Sequence, residues 1–203
     1  MPSFHKALEL GADGFELDVR ITGDGRLVVV HGSVVVGHAV QTSSHADIRQ
    51  LSDGYEVPLF EDVIATFGRR AFLDIELKSP GFEQEAISLI ERHCDLARTV
   101  LSSFHPQTLD RVRQLAPELP LGFIYNRTQD EETRHNCPIE VVIPQFRLAS
   151  REFINQVHGE GLKVFAWTVN DPQEATRLID LGVDGIISDY PEMLVQLVQS
   201  RGK

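Results

Sequence analysis

Two acidic side chains in the stretch GFELDVRI are spaced so that they could act together. Glu16 and Asp18 lie two residues apart in an apolar run that is typical of a β-strand. Residues i and i+2 of a strand share a face, so both carboxylates point to one side while the apolar residues around them point to the other. Two negative charges on one face repel each other unless a cation lies between them. The pair is therefore either part of a metal site or two acids at a solvated strand end, each bonded to an arginine.

A second stretch, AFLDIELK, repeats this arrangement and favours the metal site. Glu76 and Lys78 share one face of a predicted strand, and Asp74 lies one step further in on the same face. The carboxylates of Glu16, Asp18 and Glu76 would be a suitable shell for Mg²⁺ or Ca²⁺, which prefer oxygen ligands. The compact ammonium of Lys78 would suit a phosphate. Asp74 is expected to be an interior residue below the site.

Two other side chains are placed where they could take part in a reaction. His31 ends the apolar run after a Gly-Asp-Gly turn, and an imidazole titrates near working pH, so it is a candidate general acid or base. A histidine at a strand end is more commonly structural, and its position after the acidic pair is what makes it a candidate. Trp167 ends a strand in AWTVND, where it is either a core residue or packs against a small substrate.

An alternation of helices and strands along the whole chain must position these residues. The predicted strands cover residues 15–21, 27–30, 71–77, 99–103, 121–125, 141–144, 163–169 and 185–188, and the predicted helices cover residues 3–10, 83–94, 106–115, 150–157, 172–181 and 191–198. The polar segment before the strand at 141–144 is expected to be helical. Residues 33–53 fit neither period and are expected to form an irregular loop or excursion.

Successive βα units with short connections imply a parallel sheet, and helices on one side of it would close it into a (β/α)8 TIM-type barrel. A weak internal echo between ALELGADGFELD and RLIDLGVDGIISD supports such regularity. About seven principal strands can be counted where this barrel has eight. We therefore expect a single α/β domain over residues 1–203, a barrel that lacks its first strand. The acids and the lysine would lie at the C-terminal ends of strands, where active sites of such barrels form.

Composition restricts the partners and the compartment. The 203 residues are 42% hydrophobic, which suits one globular domain. A formal net charge of −11 argues against nucleic acid or an anionic membrane as the main partner. No apolar run approaches the roughly 18 residues of a membrane span, and the first residues lack a secretory signal pattern. Cys94 and Cys137 have no metal spacing and are typical of free thiols, so a cytoplasmic location is expected.

In this order along the chain, the motifs resemble those of the glycerophosphodiester phosphodiesterase family. The matching stretches are KALELGADGFELDV, TGDGRLVVVH, LDIELK, LSSF, AWTVND and LGVDGIISDYP. The resemblance implies a (β/α)8 barrel that hydrolyses a small-molecule glycerophosphodiester to an alcohol and glycerol 3-phosphate with a divalent cation. It also implies that the ligands of that cation are Glu16, Asp18 and Glu76.

The same resemblance gives roles to the other candidates. His31 matches the second of the family's two catalytic histidines, Lys78 matches the site lysine after the third acid, and Trp167 matches an aromatic position near the glycerol. In this scheme the metal polarises the phosphate and lowers the pKa of the attacking oxygen, the substrate's own glycerol hydroxyl. The two histidines would pass a proton between nucleophile and leaving alcohol.

Two departures from the family pattern leave other functions open. The family's opening block, His-Arg-Gly followed by Glu-Asn-Thr, would precede Met1, and we expect that the natural product or its ancestor began upstream. The family's His-Asp is His31-Gly32 here. The leading hypothesis is an enzyme of this class, and the two departures leave open whether this form is fully active or impaired. The alternatives are a non-catalytic remnant that binds metal and phosphodiester, and a homo-oligomer that covers an open barrel edge.

Overall fold

Helices and strands alternate in a computed structural model of the chain, which describes residues 1–50, 56–127 and 138–201. The strands are β1 (Gly14–Ile21), β2 (Leu27–Val29), β3 (Val34–Val35), β4 (His38–Ala39), β5 (Phe72–Leu77), β6 (Thr99–Ser103), β7 (Leu121–Tyr125), β8 (Val141–Pro144), β9 (Lys163–Ala166) and β10 (Gly185–Ile186). The helices are α1 (Pro2–Glu9), α2 (His45–Gln50), α3 (Phe60–Phe67), α4 (Glu83–His93), α5 (Pro106–Leu115), α6 (Arg151–Gly159), α7 (Pro172–Leu181) and α8 (Pro191–Arg201).

Eight of these strands form one sheet in the order β10-β9-β8-β7-β6-β5-β1-β2. β2 runs antiparallel to β1, and the other neighbouring strands are parallel. The predicted parallel sheet is therefore confirmed. Among the described residues β10 and β1 do not pair with each other. The expectation that a first barrel strand is lacking stays a prediction.

The alternation of side chains along each strand separates two apolar layers. Leu17 and Ile75 belong to the large cluster that the strands share with the helices. A smaller cluster on the other face of the sheet contains Val100, Ile124 and Ile143, with no helical residue among its buried members. Because Glu16 and its i+2 neighbours alternate with the residues of the large cluster, they face the inside of the curled sheet.

Most predicted elements are confirmed, with bounds that shift by a few residues. β9 and β10 end earlier than predicted, and α8 continues to Arg201. The helix α3 is an addition to the predicted elements. The polar segment expected to be helical lies largely within residues 128–137, outside the described residues.

The segment expected to be irregular is structured where it is described. It contains the hairpin β3–β4, a 3-10 turn at Val40–Thr42 and α2. The segment packs against the face of β2 opposite the large cluster, in a small core made of Val28, Val30, Val35, Val40, Ile48 and Val57. Apolar contact with β2, rather than a periodicity of its own, therefore orders this segment.

The structure bears on two expectations from composition, the lack of a membrane span and the free thiols. Among the described helices, none is long and apolar enough to cross a membrane. Cys94 is a buried free thiol, and Cys137 lies outside the described residues. The cytoplasmic location stays a prediction.

Candidate active site

The parallel pairing of β1 and β5 brings the predicted acids together. In this register Glu16 lies opposite Asp74, and Asp18 lies opposite Glu76. All four side chains are on the inner face of the sheet, because each pair is two residues from the next along its strand. Glu76 and Asp74 are buried, with 6% and 3% of their surface exposed. The two strands thus place four carboxyl groups in two layers, with Asp18 and Glu76 nearer the C-terminal ends.

Lys78 follows β5 directly and lies between the carboxylates of the upper layer. Its Nζ is 2.8 Å from Oδ1 of Asp18 and 2.7 Å from Oε1 of Glu76. Burial alone would lower the pKa of this ammonium, but hydrogen bonds and charge from the two carboxylates raise it above its ordinary value. Lys78 is therefore held charged within the acidic group.

The acids Glu16, Asp18 and Glu76 form a group that could hold a metal ion, since a ligand oxygen from each lies within 4.8 Å of the others. Among the described residues, Oε1 of Glu16 is buried and has no hydrogen-bond partner. A buried carboxylate oxygen without a partner is costly, and a cation would satisfy it. A set made only of carboxylate oxygens fits hard cations such as Mg²⁺ or Ca²⁺. The residues present therefore fit the expected cofactor class.

The pKa directions of these acids follow from their burial and from the charges around them. Burial, followed by the negative charges of Asp18, Asp74 and Glu76, raises the pKa of Glu16 well above its ordinary value. Burial also raises the pKa of Glu76, although Lys78 opposes this. For Asp18 burial acts in the same direction, but contacts with Lys78 and His31 outweigh it and hold the pKa below its ordinary value.

His31 lies just beyond β2, within reach of the acids. The amide of Val30 donates to the carbonyl oxygen of Asp18 at 2.9 Å, which extends the hairpin to the residue before the histidine. The ring Nδ1 is 2.9 Å from Oδ2 of Asp18, and 84% of the side chain is exposed. With Nδ1 bonded to Asp18, Nε2 is the nitrogen left to exchange a proton with a ligand.

Asp74 lies below the three candidate ligands, where it was expected. Its Oδ1 accepts a hydrogen bond from the hydroxyl of Ser102 at 2.5 Å, while Oδ2 is buried without a partner among the described residues. Burial, opposed by the Ser102 hydrogen bond and supported by the charges of Glu76 and Asp18, raises its pKa to about 7.

Trp167 is part of an aromatic wall beside the acids. Its indole N–H donates to the carbonyl oxygen of Ile143 at 2.9 Å, and its ring meets Phe104 edge to face, with centroids 5.6 Å apart. Nζ of Lys78 lies 5.8 Å from the centroid of the Phe104 ring. Phe104 thus connects the indole to the charged group. Any contact of Trp167 with a substrate would be made by the ring, because its N–H is already bonded.

Arg20 and Phe104 contact residues of the site but were given no role by the sequence reasoning, although Phe104 is the last residue of the motif LSSF. Arg20 donates from Nε and Nη2 to the carbonyl oxygen of His31, at 3.1 and 2.9 Å. The signal for Arg20 is the continued i+2 spacing from Glu16 and Asp18. Phe104 follows β6 directly, which is the end of a strand where site residues are expected.

The fold and these side chains define an α/β barrel with an acidic, oxygen-rich site near the C-terminal ends of its strands. The chain belongs to the glycerophosphoryl diester phosphodiesterase family, whose model matches residues 1–193. By family it is a phosphoric diester hydrolase.

Relatives and solved structures match nearly the whole chain. A glycerophosphodiester phosphodiesterase of Caldanaerobacter subterraneus is 33% identical over 222 residues, which cover 98% of this chain and 91% of the relative. One from Bacillus subtilis is 27% identical and covers 94% of this chain and 78% of its own length.

The solved structures confirm the TIM-type barrel. A phosphodiesterase of Oleispira antarctica, solved in complex with the product sn-glycerol-3-phosphate, is 23% identical with a TM-score of 0.87, covering 98% of this chain and 90% of its own. A glycerophosphodiester phosphodiesterase of Parabacteroides distasonis is 24% identical with a TM-score of 0.86, covering 98% and 89%.

Proposed function

We propose that this protein hydrolyses glycerophosphodiesters to an alcohol and glycerol 3-phosphate, using Mg²⁺ or Ca²⁺ held by Glu16, Asp18 and Glu76. The observation that carries the proposal is the convergence of these three acids on the inner face of the barrel, within 4.8 Å of one another. The name of the Caldanaerobacter relative and the product bound to the Oleispira protein support the choice of substrate class.

The divalent cation would neutralise charge on the phosphate and lower the pKa of the attacking oxygen. Lys78 holds a positive charge beside the acids, where it can pair with an anionic phosphate oxygen. His31 presents Nε2 for exchange of a proton with the leaving alcohol, while Asp18 holds the opposite nitrogen. The ring of Trp167 offers an apolar surface for the carbon atoms of the glycerol.

The test is the release of glycerol 3-phosphate from glycerophosphocholine or glycerophosphoethanolamine by the protein treated with EDTA and then given Mg²⁺ or Ca²⁺. Glu16→Gln keeps the shape of the side chain but removes its charge, and should lower cation-dependent turnover by about a hundredfold or more. The matched control is Glu9→Gln, at an exposed acid of α1. A wild-type protein without cation-dependent turnover, or a Glu16→Gln variant with full turnover, would rule out the proposal.

A non-catalytic protein that binds metal and phosphodiester is the second candidate. The observation in its favour is Gly32, which stands where the family pattern has an acid beside the histidine. Calorimetry separates the two functions: heat of binding for glycerophosphocholine in the presence of Mg²⁺, with no glycerol 3-phosphate released, would select this candidate.

A further inference from the structure

We propose that Arg20 is a positioning residue that holds His31 in place for proton transfer, an inference that rests on the function proposed above. Nε and Nη2 of Arg20 both donate to the carbonyl oxygen of His31, at 3.1 and 2.9 Å. Arg20 touches the backbone of the histidine, and its effect on the reaction passes through that residue.

The position of His31 explains why it needs such a contact. Strand β2 ends at Val29, and the last hairpin hydrogen bond of this region is made by Val30. With 84% of its side chain exposed, His31 gains little orientation from packing. An unrestrained surface imidazole would sample several rotamers, and only some of them keep Nδ1 on Asp18.

Gly32, the residue after His31, does not help to orient the histidine. Gly32 has no side chain, and a Cβ at this position would lie 3.0 Å from the carbonyl oxygen of Val34, so the chain turns tightly here. An acidic side chain after the histidine, as in the family pattern, would crowd this turn. In this chain the restraint on His31 comes instead from residues of strand β1.

Strand β1 supplies both contacts of the histidine. Asp18 binds the ring at Nδ1, and Arg20, two residues later on the same face, binds the carbonyl oxygen. A rigid strand thus fixes the distance between the two side chains that contact His31. The charges also suit their partners, since a carboxylate accepts from the ring and a guanidinium donates to the carbonyl. The planar guanidinium offers two N–H groups to one acceptor, which restricts its direction more than a single ammonium could.

The experiment compares Arg20→Gln and Arg20→Lys with the wild type in the cation-loaded, full-length protein. Misplacement of a proton-transfer group should lower kcat by roughly ten- to a hundredfold for Arg20→Gln, with KM for glycerophosphocholine and the calorimetric affinity for Mg²⁺ unchanged. Arg20→Lys should recover part of kcat, because an ammonium can still donate to the carbonyl oxygen. The control is Arg26→Gln, which makes the same change at an exposed arginine of the same hairpin and should leave kcat unaltered.

A second measurement keeps the inference separate from the proposed function. In ¹⁵N-labelled protein, the two ring nitrogens of His31 should report a bonded Nδ1 in the wild type and in Arg26→Gln, and averaged, solvent-like shifts in Arg20→Gln. This holds even if no phosphodiester is turned over. Unchanged ring shifts in Arg20→Gln would overturn the proposal, as would a loss confined to KM or to cation affinity. If the wild type showed no turnover but the ring shifts changed as expected in Arg20→Gln, the proposed function would be excluded. Arg20 would still be the residue that positions His31.

Discussion

Four carboxyl groups share the inner face of β1 and β5 with the ammonium of Lys78, and their balance of charge sets the chemistry of the site. Lys78 neutralises part of the upper layer, where it bonds Asp18 and Glu76. Glu16 and Asp74 each keep a buried oxygen without a partner among the described residues. Added positive charge therefore stabilises this group of acids, and either a divalent cation or protons can supply it.

Asp74→Asn should stabilise the cation-free protein at neutral and higher pH. The pKa of Asp74 is raised from 3.8 to about 7 in the fold, chiefly by burial. Between these values the native state binds more protons than the unfolded chain, so the free energy of unfolding falls as pH rises through this window. Full ionisation costs on the order of 4 kcal/mol. The variant should match the wild type near pH 4 and exceed it in stability at pH 8, as measured by urea unfolding in EDTA.

The matched control for this prediction is Asp110→Asn, at an exposed acid of α5. It removes the same charge without removing a buried carboxyl, so its unfolding curves should follow the wild type at every pH. The raised pKa values of Glu16 and Glu76 leave some pH dependence in Asp74→Asn, which should be shallower rather than absent. Equal slopes of stability against pH in wild type and Asp74→Asn would contradict the cost assigned to ionisation of Asp74.

At the scale of the element, β1 is the strand for which the sequence best predicted the placement of the site side chains. Its strict alternation places Glu16 and Asp18 on one face, and the same rule places Glu76 and Lys78 on β5. What the alternation cannot provide is the register between strands that are far apart in the chain. The pairing of Asp18 with Glu76 is what brings both within reach of Lys78, and that pairing depends on the packing of the whole sheet.

Other elements show where sequence patterns were sufficient and where they were not. Helix α3 was not predicted, although its buried residues Phe60, Val63, Ile64 and Phe67 have the spacing of an amphipathic helix, so the pattern was there to be found. The segment that contains β3 and β4 has no such period. Val35 and Val40 are buried there with Val28 of β2 and with Val30, and only the folded arrangement shows which of the consecutive valines face that core.

Val36→Asn should raise the stability of the hairpin β3–β4. Val36 and Gly37 form its turn with φ values of 45° and 84°, and positive φ is unfavourable for a β-branched side chain. Asparagine tolerates this region and commonly precedes glycine in such turns. Because 65% of Val36 is exposed, little buried surface is lost. The expected gain in the free energy of unfolding is about 1 kcal/mol, measured by equilibrium urea unfolding.

Val34→Asn is the control in the same hairpin. Val34 is 56% exposed but lies in β3 without a positive φ, so asparagine there removes a strand-forming residue and relieves no strain. This variant should be no more stable than the wild type. A similar gain in both variants would show that the exchange of an exposed valine for a polar residue, rather than the backbone conformation at Val36, is responsible.

At the scale of the whole molecule, a net charge of −11 surrounds a site that we propose binds an anionic phosphodiester. A cation of charge +2 in the acidic group would leave the protein strongly negative at long range. Electrostatic fields of this kind change the rate of encounter more than the affinity within the site. The charge of the head group on the substrate should therefore decide how salt affects the reaction.

Salt should increase kcat/KM for a substrate with a net negative charge and have little effect on a zwitterionic one. Raising the ionic strength from about 0.01 to 0.15 M shortens the screening length from roughly 30 to 8 Å, which hides distant surface charge but leaves the contacts within the site. For glycerophosphoglycerol, of charge −1, the repulsion that is removed should raise kcat/KM about two- to fivefold. Glycerophosphocholine carries no net charge and serves as the control, because it shares any effect of salt on the cation or on the fold. If the ratio of kcat/KM for the two substrates stayed constant or moved towards glycerophosphocholine as salt was added, the local field of the site, rather than the net charge of the molecule, would govern substrate encounter.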